Sequence, residues 1–250
     1  MGLKPALIIP DTHRPFHDKR AYALMLKVAV DIKPSEIVIL GDYADFYSVS
    51  SHSRDPRIFS MLTDEIVDVL FGLEELDQLF PDAKKVFIQG NHENRLERYL
   101  CDKAPALFGV TDTRFLLEIN DRPNWTFVPY GPNQVYSVLG SYLKARHEPL
   151  GNNAKLTATR ALCSLVYGHI HRIEESHIVG LDGTNHVCFS VGWLGDKRKD
   201  QVFDYVKNHH QWQLGFGLVF VDQEDGYFYH SKIHILDNYT CVVNGKLYRG

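Results

Sequence analysis

Three short apolar runs alternate with two stretches of helical spacing in the first ninety residues, and this pattern narrows the possible folds most. "PALIIP" (residues 5–10), "EIVIL" (36–40) and "KVFIQ" (85–89) read as short buried strands. Between the first two, "KRAYALMLKVAVDI" (19–32) sets Leu24, Val28 and Ile32 four apart, the repeat of one helix face. Before the third, "TDEIVDVLFGLEELDQLF" (63–80) opens with an acidic turn behind a Thr63 cap and stops at Pro81. Strands joined by helical crossovers lie parallel, so the first half predicts a parallel sheet.

The second half changes character. Short strand-like runs such as "NWTFVPY", "LVYGH", "HVCFSVG" and "GFGLVFV" follow one another with turn residues between, and Asn244-Gly245 marks a hairpin. Only residues 153–163 look helical there. With neither a linker-like composition break nor a repeat, the whole of 1–250 is expected to form one α/β domain, with two sheets packed together and flanked by helices.

Composition removes several function classes. Hydrophobic residues are 44% and charged residues 23% of 250, ordinary for a globular chain, and the formal net charge of −4 argues against general nucleic-acid coating. The four cysteines lie far apart without a CxxC pair, which gives no zinc ribbon and no disulfide framework. The first residues lack a signal-peptide pattern, and no apolar run approaches the roughly 20 residues of a membrane span. A cytoplasmic protein without a membrane partner is expected.

Each buried run ends in a polar cluster. "LIIP" leads into Asp11 and His13, "IVIL" into Asp42 and Asp45, and "VFIQ" into Asn91, His92 and Arg95; "YLKAR" leads into His147, and "LVY" into His169 and His171. Open α/β sheets bind ligands beyond the carboxyl ends of their strands, so these clusters are expected to share one crevice. An HxH pair alone is weak evidence of a metal; in a strand, residues two apart share a face, which is how His169 and His171 are expected to emerge together. Asp, Asn and His donors without thiolate suit manganese, iron, nickel or zinc. A carboxylate can bridge two metals, and Asp42 in its tight Gly-Asp turn is the natural candidate. Two such ions roughly 3.5–4 Å apart can hold a hydroxide for in-line attack on phosphorus.

The ordered set DxH, GDxxD, GNHE, a lone His and GHxH, spread from Asp11 to His171, resembles the calcineurin-like metallophosphoesterase superfamily, above all its compact stand-alone phage and prophage members. The resemblance implies a four-layer αββα sandwich with two mixed β-sheets, and an enzyme in which a metal-bridging hydroxide attacks a phosphate ester. One metal would sit on Asp11, His13, Asp42 and His171, the other on Asp42, Asn91, His147 and His169. Manganese is the first expectation for both. His92 would face the leaving-group oxygen, oriented by Asp45.

Departures from the family pattern shape the substrate reading. Phosphoprotein phosphatases of the superfamily carry phosphate-gripping arginines in GDxVDRG and RGNHE; here Phe46 and Gln89 stand at those places. Arg95 and Arg98 are candidate clamps instead. The motif around His147 reads "RHEPLG", with Glu148 as a departure. Residues 196–216 are long for a loop and carry Lys197, Arg198, Lys199, His209, His210 and Trp212, as a lid, a substrate contact or an interface would. A phosphodiester or nucleotide-type substrate, including single-stranded nucleic acid, is therefore expected. A phosphomonoesterase for a small metabolite or phosphoprotein is the second reading, and a catalytically silent protein-binding scaffold the third.

Overall fold

The computed structural model describes residues 2–52, 55, 57, 58, 61–199 and 209–250; the side chains of Lys199 and His209 lie outside that description. Strands β1 (Lys4–Ile9), β2 (Glu36–Ile39), β3 (Lys84–Ile88) and β4 (Trp125–Val128) run parallel, as the alternation predicts. Helices α1 (Lys19–Ile32) and α2 (Leu62–Leu79) cross between the first three. Asp18 caps α1 by accepting from the Arg20 and Ala21 N–H groups, and Lys33 closes it in the left-handed conformation.

Thr63 is not the cap of α2. The helix begins one residue earlier at Leu62, Met61 holds the cap position without a side-chain bond, and Thr63 lies inside the first turn. The acidic turn serves a tertiary contact instead. Buried Glu65 accepts from the Tyr47 and Ser48 N–H groups and ties the loop after β2 to the helix.

Helices α3 (Asn94–Lys103) and α4 (Thr113–Leu116) follow β3. A second sheet then forms from β5 (Tyr136–Ser137), β6 (Lys144–Arg146), β7 (Leu165–Tyr167), β8 (Ile173–Val179) and β9 (Asn185–Val191), in the order β5-β6-β7-β9-β8. Helix α5 (Ala154–Ala161) packs on its outer face over Leu165, Tyr167 and Cys188. The chain then returns to the first sheet. Strand β10 (Gly215–Val221) adds antiparallel to β1, and β11 (Phe228–His234) antiparallel to β10, which gives the order β11-β10-β1-β2-β3-β4. Both large sheets are mixed.

Alternation along the strands builds the layers. Ala6 and Ile8 of β1, Val38 of β2, and Val86 and Ile88 of β3 point into the core between the sheets, where they meet Ala145, Val166, Phe189 and Val191. Leu7, Ile9, Ile37, Ile39 and Phe87 point the other way, onto Leu24, Met25, Val28, Val69 and Leu73 of α1 and α2. Helices, sheet, sheet and helix follow in that order, the αββα arrangement. The Asn244-Gly245 hairpin joins β12 (Thr240–Val243) to β13 (Lys246–Arg249) through two residues at positive φ, 51° and 76°. Among the described residues no helix is long and apolar enough to cross a membrane.

Candidate metal centre

Five loops at the carboxyl ends of β1, β2, β3, β6 and β7 meet at one edge of the two sheets. The first two zip together: the Thr12 and His13 N–H groups donate to the Asp42 carbonyl at 2.9 and 2.8 Å. Gly41 has φ +95°, and a Cβ there would lie 2.7 Å from His147 Nδ1. A Cβ at Gly90 would collide with Asp42 Oδ1 and the Asp42 backbone nitrogen. The β2 and β3 loops thus approach as closely as backbone permits.

Strand alternation does not bring His169 and His171 together. Strand β7 ends at Tyr167, and both histidines adopt left-handed φ, 69° and 57°, in the turn beyond it. His13 and Asp42 share that conformation, with φ 54° and 48°. A non-glycine residue at positive φ is uncommon, and several at one spot mark a place where function overrides backbone preference.

These turns aim lone pairs at shared points. Asp11, His13, Asp42 and His171 each bring one donor atom within 4.8 Å of the others, and so do Asp42, His147 and His169. Asn91 Oδ1 joins the second group, 2.8 Å from His147 Nε2 and 2.8 Å from His169 Nδ1. Asp42 belongs to both groups. His147 Nδ1 donates to the Leu40 carbonyl at 2.9 Å, which turns its Nε2 into the site. That nitrogen faces two acceptors, Asn91 Oδ1 and, at 3.3 Å, Asp42 Oδ2. His13 Nδ1 likewise donates to Asp45 Oδ2 at 2.9 Å, which leaves His13 Nε2 facing His171 Nε2 at 3.1 Å.

Lone-pair atoms crowded into one buried site call for positive charge among them, which protons supply when no metal ion is bound. The titration behaviour agrees. Burial opposes charge on His147, yet Asp42, with Asp11 and Glu93 behind it, outweighs burial and draws its pKa up to about 10. Burial pushes His171 down to about 4 against the pull of Asp11. Its Nδ1 is buried without a hydrogen-bond partner, and its ring stacks on Trp193 with centroids 4.9 Å apart, edge-on to Trp212 at 4.3 Å. Two aspartates, an asparagine and four histidines, with a second partner fixing the far nitrogen of His13 and His147, fit divalent transition ions.

Beside this centre, Asp45 Oδ2 accepts from His13 Nδ1 and, at 3.1 Å, from His92 Nδ1. Burial would raise the Asp45 pKa, but His92, His13 and Arg95 hold it far below the carboxylate range. Arg95 Nη1 donates to Asp45 Oδ1 at 3.1 Å and Nη2 to His92 Nε2 at 2.9 Å. A guanidinium only donates, so His92 Nε2 accepts here and the ring is neutral. Burial comes first in lowering the His92 pKa, and Arg95 adds to it against Asp42 and Asp45. The His92 N–H donates to Asp42 Oδ1 at 2.8 Å, which links this network to the shared carboxylate.

The sequence profile of calcineurin-like phosphoesterases matches residues 4–236. The chain belongs to this family. It is 26% identical to the gene 54 protein of Mycobacterium phage L5, with 97% of the chain and 95% of that protein aligned. The gene 54 protein of Mycobacterium phage D29 is also 26% identical, over 88% and 89%. These phage relatives fit a compact stand-alone member. Among solved structures, Vacuolar Protein Sorting 29 from Cryptosporidium parvum aligns over 99% of this chain and 95% of its own, with TM-score 0.46 at 12% identity. The E. coli phosphoesterase YfcE aligns over 91% and 98%, with TM-score 0.41 at 17% identity.

In this calcineurin-like phosphoesterase Asp42, Asn91, His92, His169 and His171 line one cleft of about 440 Å³ together with Arg95, Arg172 and Trp212, while Asp11, His13, Asp45 and His147 are buried. The proposed clamps separate. Arg95 is buried in the Asp45–His92 network, whereas Arg98 is exposed on α3 and lines a different cleft. His210 is exposed on a short turn and is not among the residues that line the metal cleft; the side chain of His209 and residues 200–208 lie outside the described residues. Trp212 is buried against His171 and Trp193, so it does not stand outward as an interface anchor.

Phe46 and Gln89 have become interior. Phe46 belongs to the core beneath the helices, and Gln89 donates to Glu97 and accepts from the Tyr130 N–H. Glu148 accepts from the Tyr130 hydroxyl at 2.7 Å. Sequence reasoning gave no role to Glu93, whose carboxylate accepts from the Asp42, Ala44 and Gly90 N–H groups and staples the loops after β2 and β3. The only signal for it was its place in GNHE. Trp193, behind His171, had no signal at all.

Proposed function

We propose that this protein is a dinuclear metal-dependent phosphoesterase that acts on a phosphodiester or nucleotide-type substrate, with the whole chain working as one metallophosphoesterase domain. The supporting observation is the place of Asp42 in two donor groups at once. Asp11, His13, Asp42 and His171 would hold one ion, and Asp42, Asn91, His147 and His169 the other; manganese is the first choice. When bound, such ions supply an activated water and neutralise charge that builds on phosphoryl oxygens.

The chain's own residues do the rest. Asp45 fixes the tautomers of His13 and His92 through one oxygen. His92 Nε2 opens towards the cleft and is the group placed to meet the leaving-group oxygen. A substrate oxygen that takes the Arg95 donor in place of His92 Nε2 would free that nitrogen to take up a proton from solvent, with Asp45 at Nδ1 stabilising the imidazolium, and to donate it to the leaving-group oxygen. Arg95 would then act as an internal clamp in place of the arginines absent at Phe46 and Gln89. The two phage relatives support a phage-encoded enzyme that works in the host cytoplasm.

The test is manganese-dependent hydrolysis of a bis-aryl phosphate diester beside the matching monoester, with His92→Ala as control. Faster diester turnover that is lost in the control is the expected result. Faster monoester turnover would replace the reading with a phosphomonoesterase. No turnover of either by the metal-loaded protein would count for a protein-binding scaffold.

A further inference from the structure

A second cleft lies on the other side of Arg95. Helix α3 presents Arg95, Arg98, Tyr99 and Lys103 along one face, at the three- and four-residue steps that align helix side chains. Opposite stands the loop of Ser48, Ser50 and Ser51, and the space between measures about 360 Å³, within the range of small-ligand sites. Arg95 lines both this cleft and the metal cleft, so it is their common wall.

The lining is built for an anion. Arg95 is committed to Asp45 at the back wall, which leaves Arg98 and Lys103 as the cations facing the cleft, against the single acid Asp102. Among the described residues neither Arg98 nor Lys103 has an acid within 4.0 Å, whereas Arg14, Arg57, Arg122 and Arg198 are all paired. Ser50 Oγ already accepts from the His52 N–H at 3.2 Å, which leaves its hydrogen to donate. Tyr99, 42% exposed, offers a ring face at the rim. Charge, hydroxyl donors and an exposed ring together suit a phosphate joined to a flat base.

We propose that this cleft is the leaving-group subsite, and that the substrate is a diester whose leaving alcohol carries its own phosphate, as the next nucleotide of a single strand does. The proposal rests on the phosphodiesterase reading above: a group bonded beyond His92 passes over Arg95 and enters this cleft. Arg98 therefore grips the neighbouring phosphate rather than the one being cleaved.

The experiment compares thymidine dinucleotides with and without terminal phosphates, using the manganese-loaded full chain and Arg98→Glu/Lys103→Glu, both changes at exposed positions. The expected result is a KM lower by about tenfold for the phosphorylated dinucleotide, lost in the double variant. An absent preference, or one that survives the charge reversal, overturns the subsite; hydrolysis of the bis-aryl diester would then leave the phosphodiesterase reading standing. Should no ester be hydrolysed, that reading fails, and binding of a 5′-phosphorylated thymidine trinucleotide decides the subsite separately. Affinity that falls about tenfold on charge reversal supports it, and unchanged affinity overturns it.

Discussion

Replacing Glu93 with glutamine probes the staple between the two loops while every candidate metal residue keeps its own side chain. Its carboxylate is fully buried and accepts three backbone N–H groups, from Asp42 at 2.9 Å, Ala44 at 2.8 Å and Gly90 at 2.7 Å. Burial first, and then Asp42, push its pKa up to about 7, so near neutral pH the loss of its charge is nearly neutral in itself. The lost acceptor carries the effect. A glutamine oxygen can keep Asp42 and Gly90, which share Oε2, but its amide then confronts the Ala44 N–H. One buried N–H without an acceptor costs about 1–3 kcal/mol, whereas Glu93→Ala leaves three and removes much of a typical stability of about 5–15 kcal/mol.

Urea unfolding of the chelator-treated protein reads this directly. With a slope of about 3 kcal/mol/M, a loss of about 2 kcal/mol moves the Glu93→Gln midpoint down by about 0.7 M at unchanged slope. Because the staple holds the Asp42 backbone, manganese affinity should fall as well, by about 10–100-fold, the usual effect of removing an outer-shell partner. A variant that matches the native protein in both midpoint and affinity would refute the staple.

Three further outcomes follow from the same geometry. Gly90→Ala forces its Cβ into Asp42, so it should lose about 1–3 kcal/mol of stability and its manganese binding together, read by melting and by metal analysis. Arg95→Lys keeps the charge but not the planar fork that reaches Asp45 and His92 at once; kcat on the bis-aryl diester should fall about tenfold or more, and a native kcat would contradict the internal-clamp role. Glu175 on β8 receives Lys232 and His230 from β11, joining the edges of the two sheets; burial would raise its pKa, but these partners and His177 hold it at about 2. A carboxylate depressed in the folded state stabilises above its unfolded value of about 4.3 and loses that contribution as pH falls towards 2, so the melting gap between native protein and Glu175→Gln should close on acidification.

Much of this architecture is legible because a buried parallel strand is a short apolar run with a polar turn after it. That rule located β1, β2 and β3 within a residue of their ends and placed Asp11, Asp42 and Asn91 at one edge. It says nothing about partners distant in sequence. The pairing of β10 with β1, the Trp193 ring under His171 and the three-way grip of Glu93 depend on contacts between residues separated by tens to hundreds of positions. Arg95 shows the same limit: helical spacing cannot tell an arginine at a solvent face from one turned onto a buried aspartate. The HxH pair is subtler, since both histidines do line one cleft, but through two left-handed residues rather than a strand.

The most direct measurement is the manganese content of the dialysed protein, native and Asp42→Asn, by elemental analysis at saturating metal. Two ions per native chain, with loss of both sites' affinity when the shared carboxylate becomes an amide, is the predicted result. One ion or none in the native chain, or two ions undiminished in the variant, would contradict the centre described here.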